Sequence, residues 1–484
     1  MRPASPATLL LTCAILPCAC SSGDSPAASG PSCTPVTETC DGVDQDCDGV
    51  PDDGACSAPK TDGAWFLGGT GTDHVRGVAF DAAGNVFVTG AITASADLGK
   101  GPVDGAHGYV ASLDPSGAVR WSLIWGASNM GYDYGQDVSV GGDMVCASGS
   151  FAGTFDFGGG ARTAGGYNDA FVVCLDAATG SYRWDRAFGA DQSDVTEGVH
   201  VTDAGDVVIN GVVSAASTDF GGGAVSPAQG AFVARYAKDG AFQWAHVFAN
   251  AGINFGSKPA VDAAGQVYMT GRFYDSTDFG GGVRASSGAA SAFLASFGAD
   301  GHWRWDHTFG AANTGITLYG ASARERGDVV ISGELTGSVS LGGPALSSNG
   351  GNAMTAFAAA FDASGTFLWQ YAPGGAGAMR GYGAAIGPND QVVLAGAFGG
   401  TMKFGDLERT SVGGDDMVAV GLTPEGKYLW DFTVGGSGSD AVNAVAVDGK
   451  GRVALGGETW AELTVGSSSH TNAGGDDGAL VFLH

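Results

Sequence analysis

The stretch Asp44–Asp53 carries the plainest metal chemistry in the chain. Asp44, Asp46 and Asp48 alternate with other residues, Gly49 follows, and Asp52 and Asp53 come soon after. Alternate carboxylates can turn inward around one hard cation while the glycine permits a tight bend. The carbonyl of Val50 would add a neutral oxygen. An all-oxygen set fits calcium, and the lack of His or Met between residues 33 and 56 argues against copper. Ala55 stands where a bidentate Glu would close the loop, so Asp53 must substitute and the expected site is weak and structural. Cys33, Cys40, Cys47 and Cys56 surround this stretch. In an exported chain four such cysteines imply two disulfides, with three pairings open. No Cys-x-x-Cys spacing supports zinc. The plainer reading is an acidic turn pinned by disulfides that binds nothing specific.

A second set of carboxylates recurs along the chain. Asp73, Asp133 and Asp440 hold the same position in a repeat, Asn254 counts to the same place, and Asp194 falls one residue off. Gathered at one mouth of a channel, they would hold a cation or a basic ligand. The alternative is a set of Asx turns that recur with the repeat. His74 beside Asp73 offers an acid–base pair, and Arg380 is a further candidate for the same pocket. No His-Glu-x-x-His, nucleophile elbow or Ser/His/Asp set stands out. The Asp-Phe-Gly-Gly-Gly stretches at Asp156, Asp219 and Asp278 read as turns, because no helix or partnering Lys follows. Leu175 to Trp184 resembles the tryptophan-docking turn of quinoprotein propellers. Only one repeat carries its Thr, and no adjacent cysteine pair could seat a quinone.

The elements that position these residues are written seven times. A Gly-x-Val-x-x-x-Gly strand, a Phe-Gly-Gly patch, an Ala-Phe-Val-Ala strand and a Gly-x-x-x-Trp strand follow one another. The anchors Trp65, Trp121, Trp184, Trp244, Trp305, Trp369 and Trp430 are spaced by 56, 63, 60, 61, 64 and 61 residues. A fixed period of this length marks a repeat architecture. Each repeat reads as four short strands. The chain ends on a third strand, Ala479–Leu483, and the repeats begin on a fourth, Ala64–Leu67. The expected fold is therefore all-β: a seven-bladed β-propeller over residues 62–484, closed by the N-terminal strand completing the last blade. Closure removes exposed sheet edges. The Trp anchors are expected to pack between blades. Trp125, Trp303 and Trp460 fall outside the pattern and are the candidates for stacking on carbohydrate. Cys146 and Cys174 lie on neighbouring strands of one blade, and their side chains share a face or oppose each other.

Composition bounds the partners. Gly supplies 85 of 484 residues, far above the usual share of about 7%, and it is spread through the turns. The formal charge of −28 repels nucleic acid and anionic lipid. Residues 1–19 read as a leader: Arg2, then an apolar run from Ala7 to Pro17 that is too short to span a bilayer. Pro17-Cys18-Ala19-Cys20 followed by Ser21-Ser22-Gly23-Asp24 resembles a bacterial lipoprotein leader. That resemblance implies lipidation of Cys20, with residues 20–32 as a flexible tether and residues 33–58 as a small acidic module. Ser21 does not resemble the inner-membrane retention Asp, which implies the outer membrane.

The acidic stretch matches the front of an EF-hand loop. Glu38 to Gly49 also resembles a short metal-binding motif that recurs in large surface proteins of myxobacteria and in a methanotroph copper-binding protein. The seven repeats resemble the seven-bladed β-propeller repeat family of bacterial surface proteins, which carries no common catalytic residues and implies little about function. The expectation is a monomeric, non-enzymatic binding or scaffolding lipoprotein at the cell surface. Its partner would be an envelope protein or a polysaccharide. The alternatives are an extracellular polysaccharide lyase or hydrolase working at the channel mouth, and an outer-membrane assembly lipoprotein.

Overall fold

The computed structural model describes residues 59–484, apart from residues 127–132, 190–191, 215–217, 226–229, 250–253, 256–257, 350–352 and 473. The leader, Cys20, the tether and the acidic module lie outside the described residues. With them go Cys33, Cys40, Cys47, Cys56, Asp44, Asp46, Asp48, Val50, Asp52 and Asp53.

Seven antiparallel sheets follow in sequence, each with four main strands. Blade one runs from its inner strand His74–Phe80 through Val86–Ile92 and His107–Leu113 to the outer strand Val119–Trp125. The second strands are largely apolar and buried, as expected where both faces of a sheet are covered. Val86 and Val88 enter the core shared with blade seven, and Phe87 enters the core shared with blade two. The same alternation gives seven buried clusters among the described residues, each drawing on two adjacent blades. One of them joins blade seven to blade one, so the ring is closed.

Closure follows the expected device. Thr61–Leu67 pairs antiparallel with Asp477–Leu483 and is the outer strand of blade seven. Lys60 and His484 exchange backbone hydrogen bonds at 2.9 Å in both directions.

The repeated Trp and Gly belong to neighbouring blades. The indole N–H groups of Trp121, Trp184, Trp244, Trp305 and Trp369 donate to the carbonyls of Ala177, Lys238, Ala299, Ala363 and Pro424, each in the outer turn of the next blade. The glycine of that turn lies against the ring. At Gly240 the backbone has φ +80°, and a Cβ would fall 2.7 Å from Trp184. Both the left-handed conformation and the contact require glycine there. Cys146 and Cys174 are directly opposed across adjacent strands and are joined as a disulfide, with Cα atoms 4.1 Å apart. Both side chains share one face, in the core between blades two and three.

The Asp-Phe-Gly-Gly-Gly stretches are turns. Asp156 accepts hydrogen bonds from the amides of Gly158 and Gly160, and Asp219 and Asp278 repeat the arrangement.

Candidate functional site

The inner strands form the wall of the central channel, and in six blades that strand carries a bulge. The register slips between Val75 and Gly77, Gly135 and Asp137, Thr196 and Gly198, Leu318 and Gly320, Gly381 and Gly383, and Val442 and Ala444. A bulge leaves one residue without a ladder partner and re-aims its side chain. The residues released are Arg76, Gln136, Glu197, Tyr319, Tyr382 and Asn443. With His74 and Glu458 they line one vestibule of about 410 Å³. The glycine ending each second strand makes room for the bulged backbone. A Cβ on Gly90 would lie 2.0 Å from the His74 carbonyl oxygen, and one on Gly457 would lie 1.8 Å from that of Ala441.

The vestibule side chains hold one another in place. Arg76 donates to Gln136 at 2.9 Å, and Gln136 donates to Glu197 at 2.8 Å. Tyr319 donates to Glu334 at 2.9 Å and meets Tyr382 edge-on at 5.3 Å. His74 Nδ1 lies 2.5 Å from Glu458 Oε2, which also accepts from Asn443 at 3.0 Å. Burial raises the Glu197 carboxyl above its ordinary value, against the pull of Arg76. Burial also works to raise Glu458, but the hydrogen bond and charge of His74 prevail and hold it low.

Blade four breaks the pattern. Its inner strand is divided into Asn254–Phe255 and Ala260–Val261, and Lys258, at φ +58°, precedes Pro259 in the gap. The Lys258 ammonium lies 3.1 Å from Asp137 and donates to the Val78 carbonyl at 3.4 Å. It therefore spans from blade four to blades one and two. Asp137 is 1% exposed, and its burial pushes the carboxyl up while Lys258 opposes the shift. At the other mouth a cavity of about 690 Å³ is lined by inner-strand turns, with His200, Asp206, Arg235, Asp262 and Arg324 among them. Burial, with Lys258 and Arg235 nearby, pushes His200 down to about 4, so it is neutral at pH 7.

The carboxylates expected at the mouth sit elsewhere. Asp73, Asp133, Asp194 and Asp440 are 0–2% exposed. Asp73 accepts from the amides of Gly69 and Thr93, Asp133 from Ala152, Asp194 from Ser214 and Asp440 from Gly436. They bracket the connections between blades and the loops after the second strands, as Asx-type caps do. The register also reassigns one member. Asn254 pairs with Arg272, one place past the position that Asp194 fills, so Asp194 is the equivalent of Asp73 and Asp440. The longer interruption around Lys258 displaces the count in blade four. Arg380 sits at the register of His74, one place before Gly381, and contacts Tyr382 at 3.5 Å.

Trp125 is fully buried in the core between blades one and two and is no carbohydrate platform. Trp303 and Trp460 are 37% and 60% exposed. Sequence reasoning missed the bulge residues because they share no residue type. The glycine at the end of each second strand was the available signal.

Neither a protein-family model nor a curated protein matches the sequence. Solved structures resemble the chain in outline. Quinohemoprotein alcohol dehydrogenase from Comamonas testosteroni aligns at 12% identity and TM-score 0.41, over 87% of this chain and 76% of its own. YCF48 bound to D1 peptide aligns at 10% and 0.39, over 90% and 99%. Sqt1 from Chaetomium thermophilum aligns at 12% and 0.38, over 87% and 98%. These likenesses are too distant to carry an argument about activity, and the propeller assignment rests on the strand pairing described above.

Proposed function

We propose that this protein is an exported lipoprotein, anchored through Cys20 at the outer membrane and facing the cell surface, whose propeller binds or scaffolds without catalysis. The observation that carries the reading is the vestibule. Six bulges deliver Arg, Gln, Glu, Asn and two Tyr side chains to one axis, one from each bulged blade, and several are bonded to their neighbours. A rigid ring with preset polar groups loses little entropy on binding. Loops and mouths on such scaffolds are where recognition normally resides. Cationic, neutral and anionic groups stand side by side there, which suits a polar partner such as a surface polysaccharide or a loop of an envelope protein. The net charge of −28 disfavours nucleic acid. The acidic module supplies a weak structural calcium site before the ring. On this reading the chain acts as a monomer.

Chemical crosslinking on intact cells, followed by affinity recovery, tests the proposal. A reproducible envelope partner or glycan is expected with the wild type. It should be lost with Arg76→Ala combined with Tyr382→Ala, and the protein should be released from membranes by Cys20→Ala. Equal recovery with the vestibule variant would refute the assignment of the site. Turnover of a recovered polysaccharide would replace binding with catalysis.

A further inference from the structure

We propose that His74 Nδ1, Glu458 Oε2 and Asp476 Oδ2 form a divalent-metal site at the seam where blade seven meets blade one. The three donor atoms lie within 4.8 Å of one another. They come from three separate places: the first residue of blade one's inner strand, the second strand of blade seven, and the loop before blade seven's third strand. Strand pairing within blade seven sets Glu458 near Asp476, and ring closure brings His74 to them.

The geometry fits a metal better than a hydrogen-bonded triad. Asp476 is 3% exposed, and its carboxylate lies 3.5 Å from His74 Nδ1, at the outer limit of a hydrogen bond. The same Nδ1 lies 2.5 Å from Glu458. One imidazole nitrogen carries at most one proton and cannot satisfy two carboxylates. A cation between the three donors would balance both carboxylates at once. A tetrahedral zinc centre with bonds of about 2.0–2.1 Å needs its donors about 3.3 Å apart, and the two contacts to His74 straddle that value. One imidazole with two carboxylates suits Zn²⁺, Co²⁺ or Mn²⁺; calcium prefers oxygen throughout. Outer partners are in place as well. Asn443 donates to Glu458 at 3.0 Å, and Tyr109 donates to the His74 carbonyl at 3.1 Å. Such contacts orient ligands in established metal sites. His74 and Glu458 line the vestibule, so the remaining coordination positions face it. The site would clamp the two ends of the ring together.

The test is a Co²⁺ titration of the full mature chain, followed by its visible d–d absorption, with Zn²⁺ competition for affinity. The variants are Asp476→Asn, which keeps shape, His74→Gln, and Asp46→Asn in the separate acidic module. Circular dichroism checks that each is folded. One cobalt equivalent with a d–d band is expected in the wild type. Its affinity should fall at least about tenfold in Asp476→Asn and His74→Gln and stay unchanged in Asp46→Asn. No band in the wild type would overturn the proposal without recourse to any variant. So would a band that survives both seam substitutions, or one that Asp46→Asn abolishes. The cluster would then be a hydrogen-bonded seam without a metal.

Discussion

The outer and inner edges of the blades solve opposite problems. At the outer edge the same two residues recur: a Trp donates to the next blade's turn, and a glycine of that turn accepts the ring against it. At the inner edge the backbone feature recurs while the residue changes, from Arg76 to Gln136, Glu197, Tyr319, Tyr382 and Asn443. Within one chain, a pair of residues repeated at five seams marks a shared structural need. A position freed by a constant bulge marks where each blade contributes something different. Blade four, with its divided strand and Lys258, is the extreme of that freedom.

Four substitutions break or sharpen this contrast. The largest effect should come at the outer edge. Gly240→Val forces a branched side chain into φ +80° and against Trp184. Strain and overpacking each cost about 1–3 kcal/mol, so a loss of about 4 kcal/mol is expected in denaturant unfolding. A loss under about 1 kcal/mol would mean that the clamp does not hold the seams. Next is the disulfide, which spans 28 residues. Replacing Cys146 and Cys174 together by Ala should cost about 3 kcal/mol, and reduction of the wild type should match it.

A smaller effect separates the buried loop brackets from the vestibule. Burial pushes Asp73 up to about 6 from an ordinary 3.8. Because the folded value is the higher one, its contribution is fully present below about pH 4 and is lost as pH rises through about 6. Asp169, Asp416 and Asp440 shift the same way, also by burial. The stability gap between wild type and Asp73→Asn should therefore be wider at pH 5 than at pH 7.5, by about 1 kcal/mol. A gap that is flat with pH would place the ionised carboxylate comfortably in the fold. The smallest effect on stability belongs to the inner edge. Arg76→Ala loses one hydrogen bond to Gln136 and its place over the Tyr134 ring. Unfolding should change by at most about 1 kcal/mol, while recovery of a partner falls. Equal losses at Arg76 and Gly240 would erase the distinction between the two edges.

What could be read in advance follows the same line. Trp, Gly and the apolar second strands are local, periodic signals, so the seven blades, their four strands and the closing strand were legible. The vestibule was not. A bulge accepts any residue, and its only mark is the glycine on the neighbouring strand, such as Gly90 or Gly457. Counting along the sequence put Asn254 with Asp73, because the interruption before Pro259 shifts blade four by a residue. The carboxylates at Asp73, Asp133 and Asp440 did recur as a set, but their position after a tight loop turns them toward backbone amides. The His74 cluster was out of reach, since His74 and Glu458 are 384 residues apart.

The join in blade seven also dictates a timetable. The strand that seals the ring is at the beginning of the propeller, and its partner is the last segment of the chain. Ala64 and Ser468, bonded across that join, are 404 residues apart. Contacts of such separation form late, because the intervening chain must first be brought to order. The first strand, Thr61–Leu67, cannot pair until Asp477–Leu483 is in place. The seal thus depends on both ends of the ring at once: without Asp477–Leu483, neither Thr61–Leu67 nor Val453–Thr459 would have its partner on that side.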